Sequence, residues 1–285
     1  MNSISNIGVS IYPRPTATAP SINVNGTLTP RRDEYWSVLV ITTPDPKAPV
    51  NAEGRDYHPA SDIKIYTGHA DDTIDIKVIN NRIVAVINGI SVKLDMDASS
   101  LGKLHIETGG GNDKVTIAPD VKVAVNVDTG PGQDTVNTGG GFTEVHLGEG
   151  NDKGSLGPGG GVLYGEDGDD TIEGGPGNNF LLGGAGTNTI KGGTPSDSSH
   201  TWMIAEGTRD TLEVRADHTS IDTKSQFTSI RLHREFDVQL KIFESAGNTE
   251  TIEHQDSRGR PAVWVNYTRR NDPTKDRRIR ANAPD

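Results

Sequence analysis

Apolar and polar residues alternate with a period of two over much of the first half of the chain. From residue 63 to residue 94, β-branched side chains alternate with polar ones, which is the pattern of a half-buried β-strand. The pairs Asn80-Asn81 and Asn88-Gly89 interrupt this run where tight hairpin turns would reverse the chain. Together these features predict a three-stranded β-meander.

A repeat of nine residues follows the meander. Residues 129–191 divide without insertion into seven units: TGPGQDTVN, TGGGFTEVH, LGEGNDKGS, LGPGGGVLY, GEDGDDTIE, GGPGNNFLL and GGAGTNTIK. The fourth place is glycine in every unit, and the eighth is apolar in every unit except the third, where it is Gly154. Glycine-rich turns, each followed by a short strand with one inward apolar side chain, predict a β-solenoid with a thin core.

The composition excludes several other kinds of protein. Only 32% of the 285 residues are hydrophobic and 5% are aromatic, so a large conventional core is not expected. The absence of cysteine excludes a disulfide scaffold, and no apolar run reaches the ~18 residues that a membrane span needs, so we expect no membrane insertion. A net charge of -11 disfavours nucleic acid as a partner and favours cations.

The repeat resembles a known family of calcium-binding sequences. The unit GEDGDDTIE at residues 165–173 is similar to the hemolysin-type RTX nonapeptide G-G-x-G-x-D-x-U-x, and looser copies stand at residues 67–75 and 108–116. The resemblance implies a parallel β-roll with two units per coil and calcium bound in the turns. The expected fold class is therefore all-β: a parallel β-roll or β-solenoid of glycine-rich nonapeptides, with an N-terminal β-meander and a small α+β C-terminal region.

In this family the sixth place of the unit carries the calcium-binding aspartate. Here aspartate fills that place in alternate units, as Asp134, Asp152 and Asp170. With two units per coil, these residues recur once in every coil on one flank and form a column. The other flank has no carboxylate at the same place, where its residues are Thr143, Gly161 and Asn179.

The spacing of such a column suits a calcium ion. Successive coils lie about 4.8 Å apart, so stacked carboxylates repel one another. Calcium takes six to eight oxygen ligands at about 2.3–2.6 Å, so an ion midway between two carboxylates reaches both. Turn carbonyls complete the shell, and the predicted turn positions are the fourth-place glycines of the aspartate units: Gly132, Gly150 and Gly168.

Two aspartates upstream of the repeat are predicted to extend the column. The step from Asp113 to Asp134 fits one coil with a three-residue insertion. The longer step from Asp72 to Asp113 fits two coils with five extra residues in the meander. The alternative is that these residues only cap turns through hydrogen bonds to the backbone, and this alternative is favoured for the neutral Asn179 and Asn188.

No pattern in the sequence predicts catalysis. It contains no H-x-x-x-H pair, no G-x-S-x-G elbow and no G-K-[ST] phosphate loop, and without cysteine there is no thiol chemistry. Asp71-Asp72 and Asp169-Asp170 are adjacent residues whose side chains would point to opposite faces of a strand, so they cannot flank one bond. A polysaccharide enzyme acting along a carboxylate-lined solenoid edge stays open as an alternative.

The composition changes on both sides of the repeat. Proline-rich residues 1–60, with one β-prone run at residues 35–43, predict an extended leader. Four residues after the repeat fall on one helical stripe: Leu232, Phe236, Leu240 and Phe243. The runs TIEH and VWVNY beyond them predict a hairpin. The predicted segments are the leader (1–60), the meander with irregular first coils (61–128), the β-roll (129–193), a small α+β cap or partial domain (194–268) and a basic tail (269–285).

The end of the chain is basic although the whole chain is acidic. Residues 258–285 contain eight Lys or Arg and three acidic residues. We predict a solvated and largely disordered tail. The alternative is a contact with an anionic surface through five arginines: Arg269, Arg270, Arg277, Arg278 and Arg280.

Two further resemblances concern export and origin. The first residues, rich in Ser and Ile and without an acidic residue before Asp33, resemble the start of a bacterial type III effector. The layout resembles the solenoid region of secreted bacterial zinc-metallopeptidase effectors, with FESAGNTETI similar to the start of their peptidase domain. Because the sequence contains no HExxH, that resemblance implies an inactive protein. We expect a secreted, extracellular bacterial protein with a role in virulence, delivered into a host if the type III route applies.

Three classes of function follow from these predictions. We favour a secreted calcium-binding β-roll whose folding is coupled to calcium and which serves as a non-catalytic structural or host-contact module. Its partners would be calcium ions and a host protein, the extracellular matrix or a glycan. The second class is an effector related to a zinc metallopeptidase, or a remnant of one. The third is a calcium-independent β-solenoid adhesin, which chelation would leave unchanged.

Overall fold

Short strands are the regular elements of the part of the chain that the structure describes. The structure is a computed structural model and describes residues 8–12, 38–43, 62–193, 199–215, 219–223, 227–232, 241–244, 248–254, 264–267 and 277–280. Among these residues no helix is long and apolar enough to cross a membrane. In chain order the strands are β1 (Gly8–Tyr12), β2 (Val38–Thr43), β3 (Asp62–Tyr66), β4 (Thr73–Ile79), β5 (Arg82–Ile87), β6 (Ile90–Asp97), β7 (Lys103–Glu107), β8 (Lys114–Ile117), β9 (Ala124–Asp128), β10 (Thr135–Asn137), β11 (Thr143–His146), β12 (Lys153–Ser155), β13 (Gly161–Tyr164), β14 (Thr171–Glu173), β15 (Asn179–Leu182), β16 (Thr189–Lys191), β17 (Thr201–Ala205), β18 (Arg209–Val214), β19 (Thr219–Thr223), β20 (Phe227–Leu232), β21 (Lys241–Glu244), β22 (Asn248–His254), β23 (Trp264–Tyr267) and β24 (Arg277–Arg280).

The strands of the repeat form two parallel sheets. Sheet 1 has the order β1-β2-β3-β7-β9-β11-β13-β15-β17-β19-β21, and sheet 2 the order β22-β20-β18-β16-β14-β12-β10-β8-β4-β5-β6. In sheet 2, Val136 pairs with Gly154 and Gly154 with Ile172, so each residue pairs with the same place two units further along the chain. Each coil of the repeat therefore contains two nonapeptide units, one strand in each sheet, and the predicted parallel β-roll is confirmed.

Antiparallel strands border the roll at its N-terminal end. β4, β5 and β6 form the predicted three-stranded meander. Its turn residues have the positive φ angles that tight hairpins require, at Asn80 (51°), Asn81 (62°), Asn88 (51°) and Gly89 (80°). β1 and β2 extend sheet 1 beyond β3, also antiparallel. Of these two strands, the sequence predicts only β2, as part of residues 35–43.

The meander is an insertion within one coil. β4 pairs directly with β8, with Thr73 opposite Lys114, although β5 and β6 lie between them in sequence. Asp72 therefore lies one coil before Asp113, and the prediction that two coils separate them is wrong. The long step between these two aspartates comes from a single coil that carries an inserted hairpin.

The core is a file of apolar side chains, and it explains the exceptional Gly154. In sheet 2 the inward residues of the repeat and the coil before it are fully buried: Val115, Val136, Ile172 and Ile190. A Cβ atom at Gly154 would lie 2.6 Å from Leu163 Cδ1 and 3.1 Å from Leu147 Cδ1. These two leucines fill the space that a side chain at position 154 would take, so the core stays closely packed there.

The parallel ladder does not stop where the nonapeptide pattern ends. β17 and β18 pair with β15 and β16, and the stacking continues to β21 and β22. Gly193 therefore marks the end of the repeat in sequence, but the solenoid continues past it. The segment that resembles the start of a peptidase domain, residues 243–252, lies on β21 and β22 where the structure describes it.

The predicted helical stripe and hairpin of the C-terminal third differ from the structure. Leu232 ends β20 and Phe243 lies in β21, while Phe236 and Leu240 lie outside the described residues. The run TIEH belongs to β22, which pairs with β20, whereas the last four residues of VWVNY form β23, which pairs with β24. The predicted pairing of these two runs is therefore wrong, and the described part of the basic tail, Arg277–Arg280, is a strand.

Candidate metal centre

Five aspartates lie above one another along one flank of the roll. We call them the aspartate column: Asp72, Asp113, Asp134, Asp152 and Asp170. Each precedes the first residue of a sheet 2 strand, and each is at most 2% exposed to solvent. Parallel pairing in register places them one coil apart, so the structure brings together all five aspartates that the sequence singled out.

One oxygen of each carboxylate after Asp72 joins neighbouring coils. The backbone N–H of each of the first four aspartates donates to Oδ1 of the aspartate in the following coil. The N···Oδ1 distances are 2.7 Å for Asp72 to Asp113, 2.6 Å for Asp113 to Asp134, 2.7 Å for Asp134 to Asp152 and 2.9 Å for Asp152 to Asp170. These short bonds hold the coils in register. Their N–H donors also compensate part of the negative charge of the carboxylates.

The second oxygen of the carboxylate is unsatisfied in four of these coils. We call Asp113, Asp134, Asp152 and Asp170 the four inner aspartates. In each of them Oδ2 is buried without a hydrogen-bond partner. In the last of them this atom faces its own turn, because a Cβ atom on Gly165 would lie 2.5 Å from Asp170 Oδ2. A buried acceptor left unpaired costs about 1–3 kcal/mol, and more when it is charged.

Two asparagines at the sixth place of other units show what the turns require. Asn188 Nδ2 donates to the carbonyls of Gly184 and Ala185, at 3.1 and 3.3 Å. Asn179 Nδ2 donates in the same way to turn carbonyls, the nearest at 2.7 Å. Turn carbonyls therefore converge on the second side-chain atom of the sixth place. An ionised aspartate has no proton to offer them, so a cation between Oδ2 and the carbonyls would satisfy both.

The fourth-place glycines bring the backbone close to the column. A Cβ atom at Gly150 would overlap the carbonyl oxygen of Gly132, and one at Gly168 would overlap that of Gly150. A Cβ atom at Gly132 would lie 3.1 Å from Asp134 Oδ1. Gly150 and Gly168 also have φ angles of 142° and 141°, which side-chain-bearing residues rarely adopt. Glycine is needed here for the turn to pass this close to the carboxylates.

The opposite flank closes its turns with neutral groups. Thr143, Gly161 and Asn179 are in register at the start of β11, β13 and β15. Thr143 Oγ1 donates to the carbonyl of Gly141 at 3.3 Å, and Asn179 caps its own turn as described above. The structure thus places the aspartates on one flank and no carboxylate at the corresponding place on the other.

The column continues past the repeat to a residue that the sequence predictions missed. The N–H of Asp170 donates to Asn188 Oδ1 at 2.9 Å, and that of Asn188 to Asp210 Oδ1 at 2.8 Å. Asp210 Oδ2 also accepts from Gly207 N at 2.9 Å. At the other end, Asp72 Oδ1 accepts from the Asn88 amide at 2.6 Å. The tripeptide Asp-Thr-apolar, common to Asp72, Asp134, Asp170 and Asp210, is the sequence signal that could have found it.

Burial shifts the acidity of the inner aspartates. Burial raises the pKa of Asp113 to about 7, with the neighbouring carboxylates Asp134 and Asp72 adding to the shift. Burial raises the pKa of Asp170 to about 7 and that of Asp152 to about 6, again with nearby aspartates adding. The pKa of Asp134 is raised for the same first reason. With pKa values near 7, Asp113 and Asp170 are therefore poised near neutral pH between carrying a proton and carrying negative charge.

The kind of metal that fits is limited by the ligands. Within the described ranges, no three His, Asp or Glu side chains lie close enough together to hold a metal ion. Any ion here would draw most of its ligands from main-chain carbonyls and one carboxylate oxygen per coil. Calcium accepts such oxygen shells, whereas zinc prefers nitrogen and sulfur ligands.

We expect the calcium-free protein to become more stable as the pH falls from about 8 to about 4. In the folded state Asp113, Asp152 and Asp170 have pKa values above their ordinary 3.8. The folded state therefore takes up protons before the unfolded state does, and this uptake stabilises it until both are protonated. Far-ultraviolet circular dichroism of dialysed, calcium-free protein should therefore show a β signal that grows as the pH is lowered from about 8 to about 4. Replacing all three by Asn should flatten this profile, whereas a β signal that shrinks as the pH is lowered in the unmodified protein would contradict the prediction.

Comparison with known proteins identifies the repeat. Residues 164–194 match the family of the RTX calcium-binding nonapeptide repeat, in four copies. No curated protein and no solved structure matches the chain. The resemblance to this family is thereby confirmed for the matched segment, and the repeat and the fold together support a calcium-binding β-roll protein. The matched segment includes Asp170 but ends before Asp210 and begins after Asp152.

Proposed function

We propose that the four inner aspartates, with the carbonyls of their turns, hold calcium ions along one flank of the roll. On this proposal the protein is a secreted, non-catalytic module whose folding is coupled to calcium and which serves in structure or host contact. The observation that carries the proposal is the set of four buried Oδ2 atoms without partners. The amides of Asn179 and Asn188 support it, because they supply donors at the place where the aspartates have none.

Calcium would supply positive charge that neutralises the buried carboxylates, and oxygen atoms of the chain would coordinate it. Asp Oδ1 holds adjacent coils together, and at Asp170 Oδ2 faces its own turn. The fourth-place glycines let the turn carbonyls approach. Because the turns are ordered only in the folded chain, ion binding and folding would be one process.

Secretion is proposed from the repeat and from calcium supply. RTX repeat proteins are typically secreted, and calcium is abundant outside cells and scarce in the cytoplasm. A chain that orders only with calcium would stay loose during export and fold after it, and the absence of cysteine leaves no disulfide to interfere. Delivery by a type III route stays a prediction from the sequence.

Replacing Asp152 by Asn should separate calcium binding from turn structure. The amide can donate to the turn carbonyls as Asn188 does, so Asp152→Asn should keep this one turn closed without an ion at it. We expect isothermal titration to show fewer bound calcium ions or affinity lowered at least about tenfold. Without calcium, the variant should show at least as much β signal as the unmodified protein, because a buried charge has been removed.

Thr143→Val is the matched control, since it changes the same place on the opposite flank and should leave calcium binding unchanged. Asp134→Asn should behave as Asp152→Asn does, because both have an aspartate in the coil before and after. Unaltered stoichiometry and affinity in both Asn variants would exclude the column as the calcium site.

A further inference from the structure

The outward faces of the two sheets have opposite character. On sheet 2 the outward residues are polar in every strand from β10 to β16: Thr135, Asn137, Lys153, Ser155, Thr171, Glu173, Thr189 and Lys191. On sheet 1 three adjacent strands, β13, β15 and β17, present apolar residues instead. We call this set the apolar patch: Val162, Tyr164, Phe180, Leu182, Trp202 and Ile204. The same coils are therefore polar on one face and apolar on the other.

The apolar patch is in contact with solvent. Trp202 is 44% exposed, and the other five side chains are half-buried against one another. Rings border the patch, since His146 stacks on Tyr164 at 4.6 Å and His200 lies against Trp202 at 4.0 Å between ring centroids. Three strands span about 10 Å, so the area is on the order of 200 Å². A stable dimer buries about 800 Å² per partner, which makes a second copy a poor fit.

Carboxylates surround the apolar patch. Glu144 and Glu166 lie on either side of His146, with side chains 42% and 45% exposed. Asp128 pairs with His146 on the N-terminal side, and Asp222 pairs with Ile204 on the C-terminal side. The six strands β9, β11, β13, β15, β17 and β19 contain neither lysine nor arginine. The surface thus combines aromatic and aliphatic side chains with negative charge alone.

We propose that the apolar patch docks a basic segment of another protein, one that carries both Arg or Lys and apolar residues. Aromatic faces attract cations, carboxylates pair with guanidinium groups, and the aliphatic residues bury apolar side chains. Nucleic acid and anionic glycans would be repelled by the rim. This inference rests on the contact role proposed above and adds its surface and the chemistry of its partner.

The test measures binding of a fluorescent decapeptide of alternating Leu and Arg to the full chain, with saturating calcium and about 150 mM NaCl to screen long-range attraction. A decapeptide of alternating Leu and Glu tests whether positive charge is needed. One of alternating Ser and Arg tests whether apolar side chains are needed. We expect the Leu-Arg peptide to bind at least about tenfold more tightly than either. Phe180→Ser with Trp202→Ser should weaken it about tenfold, and Glu144→Gln with Glu166→Gln about threefold.

The matched control is Thr189→Ser with Thr211→Ser, at the corresponding outward places of sheet 2, and it should change nothing. Equal binding of the three peptides, or unchanged binding by the Phe180 and Trp202 variant, would overturn the proposal. So would a dimer in sedimentation that the same variant dissociates, because a second copy would then cover the patch. Circular dichroism during calcium titration keeps the two proposals apart. A chain that folds with calcium but does not bind the peptide overturns this inference alone.

Discussion

Removal of calcium should abolish most of the β signal of this protein in far-ultraviolet circular dichroism. Without the ion, four buried carboxylate oxygens have no partner, and each costs about 1–3 kcal/mol or more. The net stability of a domain is about 5–15 kcal/mol, so the combined cost of these four atoms is large enough to unfold the calcium-free roll. An ion present at 100 times its Kd contributes about 2.7 kcal/mol per site, and several sites reverse the balance.

The measurement is a titration from chelator-treated protein up to about 10 mM calcium, with magnesium as the control. Magnesium requires near-ideal octahedral geometry and keeps its waters, so it should restore much less β signal than calcium does. A spectrum that is already complete in chelator would show that the aspartates are turn structure. The adhesin alternative would then be the better account of the protein.

Gly150→Ala should prevent folding even at saturating calcium. The added Cβ atom would overlap the carbonyl oxygen of Gly132, and the φ angle of 142° disfavours any side chain. The Gly132 coil cannot move away, because Gly132 N donates to the carbonyl of Glu149 at 2.8 Å and the ladder fixes the spacing. We expect destabilisation above about 4 kcal/mol, among the largest effects of a single methyl group.

Gly192→Ala is the control for the loss of a glycine as such. A Cβ atom at Gly192 would have its nearest neighbour, the carbonyl oxygen of Glu213, at 3.4 Å, which is an ordinary contact. This variant should therefore fold with calcium and melt within about 2–4 °C of the unmodified protein. Thermal unfolding followed by circular dichroism compares the two. A Gly150→Ala protein that melts like Gly192→Ala would show that the turns can separate more easily than the close approach suggests.

The repeat could be predicted because its register is strict, whereas its continuations could not. Seven units in phase determine which residues face inward and which flank carries aspartate. Outside them, insertions make spacing ambiguous. The long step between Asp72 and Asp113 fits either two coils or one coil with a hairpin, and only strand pairing decides. The irregular step between Asn188 and Asp210 hid the next member of the column for the same reason.

Beyond β19 the local pattern is misleading. Leu232 and Phe243 have helical spacing, but both lie in strands that pair with the preceding coils, so the pairing available from the stack outweighs the weak helical periodicity. The orientation of the aspartate Oδ2 atoms also could not be predicted from the sequence. It depends on the backbone path of the turns, which becomes visible only when the asparagine and aspartate units are compared side by side.

The two flanks of the roll differ in what closes them, and this difference makes one edge depend on calcium more than the other. Along one edge the turns end in side-chain amides and hydroxyls that need no ion, as at Asn179 and Thr143. Along the other edge, closure depends on charge compensation at the inner aspartates. When calcium is withdrawn, the aspartate edge would therefore open first, and the loss of the sheets would spread from that edge. The opposite edge would be the last part of the roll to lose its structure.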